Sequence, residues 1–316
     1  MNVFRRLRAS APSAPLLVAS NIPLVAVMIG IVGLSSATLA TASPILVTQT
    51  TDPGALASAL PGGGNLTVNS VSISSGAPSQ FGTYTGFSLL GSGLVLSTGQ
   101  VVQVAPTFNN GTQGLATTPS TDTGAAGTTE FHAYGSVHIA NFSTANDVAA
   151  FTVNFTLAAP SQVGFDFVFG SVEFPQFTNG FTDAFLTFLD GTAVGNQIVY
   201  DAGNNPAQVG TTFPGALTTA NTDTAFSNPH GLLELTTFTG QLAAGSHSLR
   251  FEVGDVNDHI LDSAVFIANL RGAEGQAGTN PIALTAVPEP ATWLLLVTGF
   301  AGLALRRRFR AVSQGD

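Results

Sequence analysis

Between residues 60 and 271 apolar and polar positions alternate in short runs, and helical 3.6 periodicity is scarce. In "VGFDFVFG" (163–170), Phe165, Phe167 and Phe169 fall on one face of a strand, with Asp166 and Val168 on the other. In "SLRFEVGD" (248–255), Leu249, Phe251 and Val253 point inward, while Arg250 and Glu252 are expected outside, as same-face neighbours able to pair across the sheet. Runs rich in β-branched and aromatic residues, bounded by Gly, Asn and Pro, predict strands over Asn65–Ile73, Gly93–Thr98, Ala149–Leu157, Gln162–Phe169, Ala184–Leu189, Gln197–Tyr200, Gly231–Phe238, His247–Val253 and Ser263–Leu270. One short helix is expected at Pro53–Leu60, with Asp52 as its N-cap. Many short strands without βαβ spacing predict an all-β fold, an antiparallel, jelly-roll-like β-sandwich with long loops at 105–130 and 201–229.

The two ends follow a different pattern. A basic start (Arg5, Arg6, Arg8), an apolar run Ile22–Leu34 and small residues ending Ala40-Thr41-Ala42 predict a signal peptide over 1–42. Cleavage is expected after Ala42, the A-x-A site being Ala40 and Ala42. At the other end, "VPEPATWLLLVTGFAGLALRRRFR" (287–310) joins Pro288-Glu289-Pro290, an uncharged run 291–305 and the cluster Arg306, Arg307, Arg308. The apolar run predicts a short transmembrane helix of about 22 Å, less than the ~30 Å hydrocarbon core. Its arginines are expected on the cytoplasmic side.

All nine positive charges of the chain are Arg, and seven of them lie in these ends. The 43–286 body carries sixteen acids against two arginines, a net charge near −14. Such a field repels nucleic acid and favours divalent cations or basic partners. An exported chain without cysteine has no disulfides, so its fold rests on its core.

Nucleophile motifs are absent: there is no G-x-S-x-G and no Cys. His132, His138, His230, His247 and His259 show no zinc-type spacing, although His132 and His138 would share a face if they lay on one strand. Carboxylates remain. "GDVNDHILDS" (254–263) offers Asp255, Asn257, Asp258 and Asp262, and "FGSVEFPQFTNGFTDAF" (169–185) adds Glu173 and Asp183. Oxygen donors from separate loops suit Ca²⁺, so Glu173, Asp183, Asp255, Asp258 and Asp262 form the candidate metal set. Solvated, turn-capping acids are the alternative, and no cofactor is otherwise implied.

Residues 287–310 closely resemble the PEP-CTERM sorting signal of Gram-negative bacteria, in Val287-Pro288-Glu289-Pro290, the apolar run and Arg306–Arg308. That resemblance implies signal peptidase and exosortase as processing partners, transient anchoring in the inner membrane, and a final place at the cell surface or outside the cell. The stretches "TDPGALASAL" (51–60), "GSGLVLSTGQ" (91–100), "STDTGAAG" (120–127), "NDVAAFTVNFTL" (146–157), 165–191 and "FEVGDVNDHILDSAVFIANL" (251–270) look like the choice-of-anchor L domain. The domain is placed at 43–272, followed by a linker over 273–286. The family's acidic motif departs here at Val172 and Thr182, where it carries an acid and an Asn, so a metal site built on it would lose oxygens. The resemblance supplies no activity. The expectation is a non-enzymatic surface, matrix or biofilm protein that binds or adheres, with exopolysaccharide or other matrix components as partners. The alternatives are a calcium-dependent carbohydrate-binding module and a secreted hydrolase.

Overall fold

The structure, a computed structural model, describes residues 45–105, 118–213 and 216–282, together with the backbone of a small hairpin at 108–109 and 112–113. The expected signal peptide with Ala40 and Ala42, and the sorting segment with Pro288, Glu289, Pro290, helix 291–305 and Arg306–Arg308, lie outside the described residues. Among the described residues no helix is long and apolar enough to cross a membrane.

The chain opens with β1 (Leu46–Gln49), α1 (Pro53–Ala59), β2 (Gly63–Gly64), β3 (Leu66–Ser75), β4 (Phe81–Phe87) and β5 (Gly91–Ser97). The hairpin β6 (Phe108–Asn109) and β7 (Thr112–Gln113) precedes α2 (Thr129–His138), β8 (Ala145–Leu157), β9 (Val163–Ser171) and β10 (Ala184–Leu189). The remainder comprises β11 (Ala207–Gln208), β12 (Gly231–Phe238), β13 (Gly245–Val256), β14 (Ser263–Gly272) and β15 (Gly278–Pro281). The larger sheet runs β1-β4-β5-β14-β9-β12-β15, with β2 added in parallel beside β14. The second sheet runs β11-β10-β13-β8-β3, and its neighbours are antiparallel throughout. The fold is therefore the all-β, antiparallel, sandwich-like architecture that the alternation predicts.

Alternation explains the core. Phe165, Phe167 and Phe169 of β9 pack with Phe151 and Phe155 of β8, Phe185 of β10 and Leu249, Phe251 and Val253 of β13. Each fully buried ring or aliphatic chain contributes roughly 1.5–3 kcal/mol of transfer free energy. Phe251 touches three other rings of this layer, those of Phe151, Phe165 and Phe185. The outer faces are covered as well. Val168 of β9 and Phe266 of β14 join Tyr84, Phe87 and Phe226 in a second apolar cluster, and α2 lays Phe131 and Tyr134 over Val148, Leu186 and Phe188.

Several expectations are corrected by these covers. A second helix, α2, which was not expected, begins at the end of the 105–130 stretch and carries both His132 and His138, which do not lie on a strand. Beneath α2, Glu252 is fully buried, not solvent-facing. Its carboxylate accepts hydrogen bonds from Arg250 Nε and from Thr128 Oγ1 at 2.7 Å, while Arg250 also reaches Glu130 at 3.5 Å. Thr128 is the N-cap of α2 and accepts from Phe131 N at 3.0 Å, so this polar tie both starts the helix and docks it. Gln197–Tyr200 forms only isolated bridges, to Phe188 and Pro206, because Gln197 turns its side chain onto the backbone of Thr187 and Val199. Within the expected linker 273–286, β15 pairs with β12 from Gly278 to Pro281. The sheet continues past residue 272.

Candidate metal centre

The site lies at one end of the sandwich, where β9, β13 and β14 terminate and the loops 172–183 and 257–262 meet. The loops are fastened to each other by Asn257, whose Nδ2 donates to Gly180 O at 2.7 Å and to Asn141 O at 3.0 Å. Asn257 and Leu261 adopt positive φ (74° and 69°), and such a backbone turns successive side chains in opposing directions.

Glu173, Asp183 and Asp258 converge, one carboxylate oxygen of each lying within 4.8 Å of the others. Glu173 and Asp183 have no exposed surface, and Asp258 is half-buried. Asp183 is held firmly: Val256 N donates to Oδ1 at 3.1 Å and Ser263 Oγ donates to Oδ2 at 2.8 Å. Glu173 has only a long contact from Asp183 N at 3.4 Å, and its Oε1 has no hydrogen-bond partner among the described residues. Asp258 Oδ1 is likewise unpartnered. Asp255 is fully buried next to Asp183, and neither of its oxygens makes a hydrogen bond of normal geometry.

Burial drives the electrostatics. It pushes the carboxyls of Glu173, Asp183 and Asp255 upward. Mutual repulsion adds to this, chiefly from Asp183 on Glu173 and on Asp255, while the Ser263 and Val256 donors pull Asp183 back. Asp258 is also raised by burial. Unpaired, ionised carboxylates in such a place are costly, and a hard divalent cation offsets that cost by supplying charge and coordination together. The donor set is all oxygen, which fits Ca²⁺.

Of the five acids expected to form one site, the structure brings together Glu173, Asp183 and Asp258 and sets Asp255 beside them. Asp262 lies outside this trio. Its Oδ1 accepts from Thr121 N at 2.7 Å, and it is repelled by Asp147, a carboxylate that sequence reasoning did not single out. Asp262 fits under Gly99 so closely that a Cβ there would stand 1.8 Å from Oδ2, which accounts for glycine in "STGQ". Val172, at the position where an acid was expected, points into the second apolar cluster and offers nothing to the site. Thr182 retains a buried hydroxyl with no hydrogen-bond partner among the described residues. The signal for Asp122 and Asp147 was present in "STDTGAAG" and "NDVAAFTVNFTL", although neither stretch has a ligand spacing of its own.

The histidines are engaged locally. His132 contacts Thr128 O at 2.9 Å and receives Ala145 N at 3.3 Å, His138 packs on Tyr134, His230 meets Phe174 O at 3.1 Å, and His247 pairs with Asp190 at 2.7 Å.

Fold and site together define a β-sandwich with a buried, loop-built carboxylate cluster. Residues 46–270 match the choice-of-anchor L domain, and residues 286–308 match the PEP-CTERM protein-sorting motif. The chain belongs to the choice-of-anchor L family. The sorting motif marks it as an exported surface protein recognised by an exosortase. No curated protein and no solved structure matches the chain.

Proposed function

We propose that the sandwich is a non-enzymatic binding or adhesion module, organised by Ca²⁺ and displayed at the cell surface or in the extracellular matrix. The observation that carries this reading is the buried trio Glu173, Asp183 and Asp258, with unpartnered oxygens on Glu173 and Asp258. A cation there ties the 172–183 loop to the 257–262 loop and shapes the end of the sandwich for a partner. The acidic body and the sorting motif both favour matrix components over nucleic acid as that partner.

A carbohydrate ligand is the second reading, favoured by a groove of about 200 Å³ lined by Tyr134, His138, Gln197, Tyr200 and Asn204. Tyr200 is 44% exposed there and presents a ring to solvent. Retention on immobilised exopolysaccharide should require Ca²⁺ and disappear with chelator. Retention that is equal with and without chelator would separate ligand binding from the cation, and the Ca²⁺-organised module would then be wrong.

Processing is tested separately. Deleting Pro288–Pro290 should leave the chain in the inner-membrane fraction. Release matching that of the intact chain would remove exosortase from its route.

A further inference from the structure

Beside the oxygen-only trio, a second group of ligand-type side chains differs in chemistry. Asp147 sits near the start of β8, an inner strand of the second sheet, with no exposed surface. Its Oδ1 is saturated, accepting from Thr123 Oγ1 at 2.7 Å and Ala125 N at 3.0 Å. Its Oδ2 makes no hydrogen bond among the described residues, although it is fully enclosed. Facing Oδ2 is His259 Nδ1 at 3.6 Å, and the same ring nitrogen stands 3.9 Å from Asp122 Oδ1. One ligand atom from each of the three residues falls within a 4.8 Å circle.

Both separations are too long for a hydrogen bond. The 3.6 Å separation to Asp147 matches the spacing between donors that share one small cation, and the 3.9 Å separation to exposed Asp122 is slightly longer. With metal–nitrogen and metal–oxygen bonds of about 2.0–2.2 Å, tetrahedral ligand atoms lie roughly 3.3–3.6 Å apart. The protein thus holds an imidazole at coordination spacing from a buried carboxylate with a free lone-pair side, and a second, exposed carboxylate close by. A third carboxylate is near: Asp262, also fully buried with Oδ2 unpartnered, feels Asp147 electrostatically.

We propose that Asp147, His259 and Asp122 bind a first-row transition cation of the Zn²⁺ type, as a second metal site distinct from the oxygen-only trio. The imidazole decides the class, since nitrogen donors suit Zn²⁺ and its neighbours in the series, whereas Ca²⁺ takes oxygen. Asp147 supplies the rigid, buried ligand. Asp122 and His259 come from two exposed loops and close over the ion. The structural consequence is a clasp: the 118–127 segment, already attached through Thr121 to Asp262 and through Thr123 and Ala125 to Asp147, is pinned to the 257–262 loop. That clasp is independent of the Ca²⁺ reading, because it shares no ligand with the trio. It places two cations of different chemistry on consecutive residues, Asp258 and His259, of one loop.

The test is equilibrium dialysis of the full chain against Zn²⁺ in the presence of saturating Ca²⁺, with bound metal measured by elemental analysis. One Zn²⁺ per chain is expected in addition to Ca²⁺. His259→Ala and Asp122→Ala alter exposed side chains, so they should leave the fold and Ca²⁺ uptake intact while weakening Zn²⁺ by at least about tenfold. Glu173→Gln should do the reverse, lowering Ca²⁺ uptake and sparing Zn²⁺. No Zn²⁺ uptake by the folded chain would mean that the three residues form an ion-pair triad only, and the proposal would fail. It would also fail if Ca²⁺ displaced the Zn²⁺, or if Zn²⁺ uptake survived both His259→Ala and Asp122→Ala.

Discussion

Calcium at about 10 mM raises the unfolding temperature of the intact chain by roughly 3–10 °C, and chelator removes the gain. The size follows from mass action. Extracellular Ca²⁺ modules bind with Kd values near 10⁻⁴–10⁻³ M, so ~10 mM is up to about a hundredfold excess and contributes up to about 2.7 kcal/mol. In a domain of this size each kcal/mol moves the midpoint by about 2–4 °C. Glu173→Gln keeps the shape of the side chain but removes a charge that has no compensating donor on Oε1. The variant should lose most of the Ca²⁺ shift while melting no lower than the wild type in chelator, since without the cation Glu173 must take up a proton on folding and the amide need not. A merely structural Glu173 would behave in the opposite way, with the variant melting lower under both conditions. Superimposable melting curves with and without Ca²⁺ for the wild type would dispose of the site.

The sandwich was legible in the sequence because alternation is a local signal. Phe165, Phe167 and Phe169, or Leu249, Phe251 and Val253, can be assigned to a core face without knowing what covers them. What covers the opposite face is a tertiary fact. "TEFHAYGSVH" has weak helix formers, a central Gly135 and no amphipathic stripe, and it is helical because Thr128 caps it and Phe131 and Tyr134 find an apolar surface. Arg250 and Glu252 read as solvent-facing for the same reason, since no periodicity announces a helix that will cover them. At the site, sequence reasoning could list carboxylates but not how they group. Asp255, Asp258 and Asp262 crowd one short loop, and spacing cannot show that positive φ at Asn257 and Leu261 sends Asp258 toward Glu173 while Asp262 sits under Gly99 near Asp147. Asp147 contributes from a strand more than a hundred residues before the loop of His259 and Asp262, and such partners become visible only once strands are paired.

The pH dependence of the cation-free chain should be inverted relative to that of most globular proteins. Acids usually sit in folded proteins with lowered pKa values, so stability is lost on acidification. Here the main buried acids are raised: Glu173, Asp183 and Asp255 by burial and mutual repulsion, and Asp262 by burial, up to about 6. A raised folded-state pKa means that the folded chain keeps protons which the unfolded chain, with ordinary carboxylates near 4, has already released. Stability is then highest below about pH 4 as far as these groups are concerned, and it falls as pH climbs from there through the folded-state values. Asp262 alone, moved about two units, accounts for on the order of 3 kcal/mol between pH 4 and pH 7, and Glu173 and Asp183 continue the decline above that. Cations reverse the sign, because they bind the ionised carboxylates and displace the protons. Melting midpoints in chelator should therefore drop between pH 4.5 and pH 8, while saturating Ca²⁺ should flatten or invert the trend and release protons on binding in weak buffer. A chelated chain that grows more stable across the same interval would show that these carboxyls are ionised and satisfied without any cation, and the Ca²⁺ site would lose its physical basis.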